Sequence, residues 1–350
     1  MRATPAGQGR SHPRRFARAG RRTNIALFAV LVGAFVTGWL AFASATPVPA
    51  TITTVAHGVF GIGVLLLVPW KSVIISRASA IRWGSLALLV LVLLCLVAGF
   101  VQVFLGYRFL FGVTPIQVHV GAALVAVPLF AWHVVRHRRR QRMRRRDLSR
   151  RALLRTAVFT GGAVGGWLAL EGIGRWTGSP AGSRIATGSH PLAAARIPAT
   201  IWLLDSVPAL DAATHLIDVA GRGWSTAELD ALATSEALSV DARLDCTSGW
   251  YADATWTGVP LNRLLDNGSR LAHRSIEVVS ATGYGRRFPV GEAGDLWLVT
   301  RRDGAPLTVG TGAPVRLIAP GRRGFWWVKW VAQVRLSDRP DWLQSPFPLQ

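Results

Sequence analysis

Four apolar runs open the chain, at 24–44, 52–70, 81–104 and 115–135. Each is close to the roughly 20 residues that an α-helix needs to cross a bilayer. A fifth run, TAVFTGGAVGGWLALEGIG, follows a long basic segment; it is shorter, glycine-rich and less apolar, and reads as an anchor helix. Beyond it the pattern changes. Residues 174–196 are rich in Gly, Ser, Thr and Pro and read as a linker. From 197 onward, short strand patterns alternate with turns: HLIDVAG, LSVDARLDC, SIEVVSAT, LWLVT, PVRLIAPG and WVKWVAQVRL. Two short helices fit between them. One starts at Ser225, with Glu228 completing a capping box, and one starts at Pro260 as a first-turn residue. The predicted architecture is an α-helical membrane bundle of four spans plus one anchor helix, followed by an α+β domain. Its segments are a basic tail (1–23), the four-helix part (24–135), the basic loop with the fifth helix (136–173), the linker (174–196) and the outer domain (197–350).

The formal net charge of +22 changes meaning once it is located. Up to residue 171 there are 22 Lys/Arg and two acids, Asp147 and Glu171, whereas the remainder is nearly balanced. A basic excess confined to loops beside apolar runs reports membrane topology, since positive loops stay cytoplasmic. It gives no reason to invoke nucleic acid. The tail before the first run, the loop holding Lys71, Arg77 and Arg82, and RHRRRQRMRRR after the fourth are therefore cytoplasmic. At 149–155, SRRALLR resembles a twin-arginine export signal with Leu153 for Phe and Arg155 for Lys. The alternative is a chance arginine pair in an arginine-rich loop. Export of a folded domain would place the C-terminal half outside the cytoplasm. The expected setting is a multi-pass cell-membrane protein.

An ionisable side chain at membrane depth is costly and marks function by default. His57 and His119 each follow the start of their span by about five residues, and both spans run inward. They therefore share one depth in the outer leaflet. Two imidazoles facing across a helix bundle suit a bis-histidine haem b; the alternative is a pair of histidines bonded to nearby carbonyls. His133 lies 14 residues beyond His119, about 21 Å along the helix, but its counterpart at that step from His57 is Lys71, which favours one haem over two. His12 and His137 fall in basic segments, and Cys95 reads as a small apolar residue.

Cys246 is the other cysteine. An unpaired thiol in an oxidising compartment is a liability unless occupied, and a soft metal is the usual occupant; simple burial is the alternative. Around it, DCTSGWY, WTGVPLNRLL and PVRLIAPGRRGFWWVKWVAQVRL resemble the molybdopterin-binding domain of the sulfite oxidase and protein-methionine-sulfoxide reductase superfamily, over about 197–340. The resemblance implies that Cys246 supplies the protein thiolate to molybdenum and is catalytic. It implies also that Arg316 and Lys329 hold the cofactor's phosphate and pterin, with Thr282, Arg322 and Arg323 near it. The chain departs from that family at IPATIWLLDSVPALD, which lacks the usual asparagine- or arginine-containing pterin contact. His190, His215 and His273 match no catalytic position and read as structural or exposed. The expected function is a membrane-anchored molybdopterin oxidoreductase. It would exchange electrons between a small sulfite- or sulfoxide-like substrate and a haem b and quinone pool in the lipid. The alternative is a cofactor-poor binding or sensory module on a helical anchor.

Overall fold

The computed structural model describes residues 21–76, 83–136, 149–200 and 206–346. His12, His137, Arg77 and Arg82 lie outside the described residues. Five helices are long and apolar enough to cross a membrane: α1 (Arg21–Ala43), α2 (Pro47–Ser76), α3 (Trp83–Leu105), α4 (Pro115–Arg136) and α5 (Arg150–Trp176). α2 starts earlier than its apolar run because Pro47 and Pro49 sit in the first turn, where no amide donor is needed. α5 extends over 27 residues, and its mean hydropathy of 1.3 is the lowest of the five.

The chain divides into two compact units. The first takes the described parts of Met1–Val36, Ala56–Val97 and His119–Leu170. Its apolar centre is Val30, Val64 and Leu67, with Phe60 and Phe159 packed against them. Small residues set the helix spacing. Gly33 lies against the ring of Phe60 and Gly58 against that of Trp167, so closely that a Cβ at either position would overlap the ring. This gives the glycines a packing role that their low helix propensity alone would not justify.

The second unit takes Thr37–Val55, Ala98–Val118 and Glu171–Gln350. Its strands are β1 (His190–Pro191), β2 (Leu216–Val219), β3 (Arg222–Ser225), β4 (Ser239–Cys246), β5 (Trp250–Pro260), β6 (Ser275–Ser280), β7 (Gly285–Pro289), β8 (Trp297–Arg302), β9 (Ala305–Pro306), β10 (Arg316–Ile318) and β11 (Val331–Ser337). In one sheet β5 pairs with β4 along its length, with β1 at its start and with β8 at its end, and β8 continues to β10 and β9. The other has the order β3-β2-β11-β6-β7. The short helices are α6 (Thr226–Ser235), α7 (Leu261–Leu264) and α8 (Asn267–Leu271). α6 carries the predicted capping box, with Ser225 and Glu228 each satisfying the other's backbone amide. Pro260, in contrast, stands just before α7 at its N-cap, and that helix is one turn long.

The core lies around the two sheets and contains Trp250, Trp256, Phe288, Leu298 and Leu317, all essentially inaccessible to solvent. The segment before 197 also packs inward: Ala181, Thr187, Ser189 and His190 are buried. β1 adds to the sheet in parallel, pairing His190 with Trp250.

Candidate active site

The site is built at the end of β4. That strand and β5 turn back on each other through Thr247, Ser248 and Gly249, and Cys246 pairs across the turn with Trp250. The Gly249 amide donates to the Cys246 carbonyl at 3.0 Å. Gly249 has φ of +86°, and a Cβ there would fall 2.8 Å from Nε2 of Gln102. Only glycine suits both the turn and that close approach. Gly324 packs on the same place from the opposite loop; a Cβ there would lie 3.2 Å from Cα of Cys246.

Cys246 is partly buried, and its Sγ lies 3.9 Å from Oγ1 of Thr200. Arg316 begins β10 and is buried to 2% exposure. One of its terminal nitrogens donates to the Thr311 carbonyl at 2.9 Å, and its Nε has no hydrogen-bond partner. Its guanidinium lies 5.3 and 5.6 Å from the ring centres of Trp256 and Trp327. Burial holds its pKa down to about 9; Cys246 pulls the other way, and Arg302 adds a smaller downward push. Among the described residues no carboxylate pairs with it. A buried cation without an anion is expensive, and an anionic guest would offset that cost.

Lys329 lies next to Arg316 across Gly312. There φ is +110°, and a Cβ would meet Cβ of Arg316 at 3.0 Å and Cβ of Lys329 at 3.2 Å. Its Nζ donates to the carbonyls of Thr200 and Gly310 at 2.5 and 2.9 Å. The structure thus brings Cys246, Arg316 and Lys329 together, with Thr200 touching both the first and the last.

The other predicted residues have different surroundings. Arg323 is buried and forms an ion pair with Asp245 at 3.3 Å; it also donates to the carbonyl of Ala41 at 2.6 Å. Asp245 is held further by the hydroxyls of Thr187 and Ser189, at 2.8 and 2.5 Å. Arg323 therefore braces the strand end that carries Cys246. Arg322 is committed to Glu292 at 2.7 Å and covers the ring of Trp326. Thr282, in the β6–β7 turn, has its hydroxyl 3.1 Å from that of Ser280. His215 and His273 hold the carbonyls of Val331 and Ser269, each at 2.8 Å. Sequence reasoning missed Tyr107, which follows α3. Its ring lies 6.3 Å from that of Trp250, and burial, then the charge of Cys246, raises its pKa. A tyrosine in a loop between two apolar runs carries no sequence signal for this placement.

In the helical unit, the rings of His57 and His119 are neighbours, with centroids 5.7 Å apart and planes at 89°. Nδ1 of His57 donates to the Ala34 carbonyl and Nδ1 of His119 to that of Cys95, both at 2.8 Å. A carbonyl only accepts, so each Nδ1 must carry the proton and each Nε2 keeps its lone pair. Cys95 is more than an apolar filler, since its Sγ lies 3.4 Å from Nδ1 of His119. Lys71 reaches Asn24 at 3.4 Å.

Residues 205–344 match the family described as the oxidoreductase molybdopterin binding domain. No curated protein matches the chain. Among solved structures, the sulfane dehydrogenase SoxCD of Paracoccus pantotrophus is 21% identical, over 38% of this chain and 40% of that one. The chain thus spans about two fifths of that relative's length, and at a TM-score of 0.33 the likeness carries no argument. The family match covers Cys246 at the end of β4, Arg316 at the start of β10 and Lys329 just before β11. Residues 205–344 are accordingly a molybdopterin-binding oxidoreductase domain.

Proposed function

We propose that the chain is a membrane-anchored enzyme that exchanges electrons between a small sulfite- or sulfoxide-like substrate and the membrane, through a haem b, to a quinone pool. The outer domain, 197–350, lies outside the cytoplasm in this reading. Cys246 supplies the protein thiolate to molybdenum. Arg316 and Lys329 neutralise the cofactor's phosphate and position the pterin, while Arg323 keeps the Cys246 strand end in place through Asp245. The observation that carries the reading is the buried, acid-free Arg316 beside the thiol of Cys246. Molybdenum in its pterin exchanges two electrons and an oxygen atom with substrate, and haem iron passes electrons singly.

For the haem, Nδ1 of each histidine is bonded to a carbonyl, as the alternative reading also expects, which leaves Nε2 as the iron donor. Both imidazoles are fixed through Nδ1, as histidine ligands commonly are. Their ring centres are 5.7 Å apart, and an iron held between them would supply one-electron transfer. The proposed sequence is substrate, molybdenum at Cys246, the His57 and His119 haem, and quinone. A reduced-minus-oxidised spectrum of the purified chain tests it. A b-type band is expected in the wild type and is abolished by His57→Ala and by His119→Ala. A wild type without the band reduces the spans to a plain anchor.

A further inference from the structure

We propose that a cavity at the C-terminal ends of α3 and α5 binds the headgroup of a membrane quinone; this rests on the function proposed above and assigns it a docking place. The cavity has a volume of about 620 Å³, inside the 300–1,000 Å³ usual for small-molecule sites. It is an open cleft, and among its lining residues is His190, 2% exposed, with neither ring nitrogen hydrogen-bonded. The carbonyls of Gln102 and Pro180 lie near the ring, outside hydrogen-bond geometry. A buried imidazole left in this way is costly unless a guest oxygen reaches it. Behind it Gln102 of α3 is buried too, and neither its amide oxygen nor its amide nitrogen has a partner.

The other lining residues indicate which guest. Leu105 and the ring of Tyr107 line one side. Arg108 and Arg175 also line the cavity, and neither forms an ion pair among the described residues. Their chain neighbours Phe109 and Trp176 are 60% and 87% exposed, as aromatic residues at a membrane–water boundary are. The mouth therefore opens where lipid-soluble headgroups reside. A small free anion or a lipid phosphate would use the arginines and leave the buried histidine unsatisfied. A flat ring with carbonyl oxygens can use the apolar residues, the histidine and the arginines together. One quinone takes up two electrons and two protons to give one quinol. The electrons come from the enzyme's redox groups when substrate is oxidised, and the flow reverses when substrate is reduced.

The test uses the full chain in phosphatidylcholine nanodiscs, with decylubiquinone and menadione as probes and molybdenum content as the check on the outer domain. Saturable binding of about one quinone per chain is expected. His190→Ala should weaken it at least about tenfold, as should Ser183→Phe, which fills the cavity from its exposed side, with molybdenum retained in both variants. No saturable binding of either probe, or binding unchanged by both variants, overturns the proposal. So does a chain that binds only phosphatidylglycerol vesicles and loses that binding in Arg108→Gln and Arg175→Gln; the cavity is then a lipid site. Quinone binding that depends on His190 in a chain devoid of molybdenum would support the cavity assignment and sink the enzyme reading separately.

Discussion

At the scale of single residues, the site is defined by a charge placed where it should not be stable. Arg316 is enclosed by Trp256 and Trp327, has an idle Nε and lacks a carboxylate partner. A buried cation with no ion-pair partner keeps a desolvation cost that no Coulombic attraction offsets. Arg316→Met is therefore expected to leave the cofactor-free domain as stable as the wild type or more so in a denaturant titration, while lowering molybdopterin occupancy. A variant that loses several kcal/mol yet keeps full occupancy would make Arg316 a structural residue. Cys246 and the cationic partners Arg316 and Lys329 were legible in the sequence because thiol and cation chemistry stand out. Tyr107, Thr200 and Gln102 were not, because their placement depends on which distant backbone they meet.

At the scale of elements, β4 is legible from its alternation, whereas β5, its longest partner, is missing from the strand patterns. WYADATWTGVP alternates between buried and more exposed positions from Trp250 to Thr257, but two of its inward residues are the small Ala252 and Ala254, and the alternation ends at Gly258, where the register with β8 shifts. Gly258 meets the Leu298 carbonyl so closely that any Cβ would overlap it. Gly258→Ala should destabilise the outer domain by about 1–3 kcal/mol or more, and Ser225→Ala, which removes only the α6 cap, by about 1 kcal/mol. Thermal unfolding of the two variants checks the order; equal or reversed losses would contradict it. Residues 174–196 illustrate the complementary difficulty. Their Gly, Ser and Pro content signals a loop, and says nothing of the buried Thr187, Ser189 and His190 that anchor it.

At the scale of the whole molecule, the five apolar helices were legible by length and hydropathy, and the basic loops suggest which side each end faces. In the proposed topology the C-terminal domain crosses the membrane after its cofactor is in place, and Arg150 and Arg151 at the start of α5 are the proposed signal. Arg150→Lys with Arg151→Lys should leave the C-terminal domain protected from external protease in spheroplasts. Unchanged external cleavage would contradict that role. In this account Cys246, Arg316 and Lys329 hold the cofactor, which makes elemental analysis of the intact chain, extracted from a molybdenum-competent host, the most direct test. About one molybdenum atom per chain is predicted for the wild type. For Cys246→Ala the expected outcome is lowered metal content and turnover reduced beyond the 10–100-fold typical of losing a mere supporting residue. A wild type free of molybdenum, or a Cys246→Ala chain with the same metal and turnover, would contradict the account.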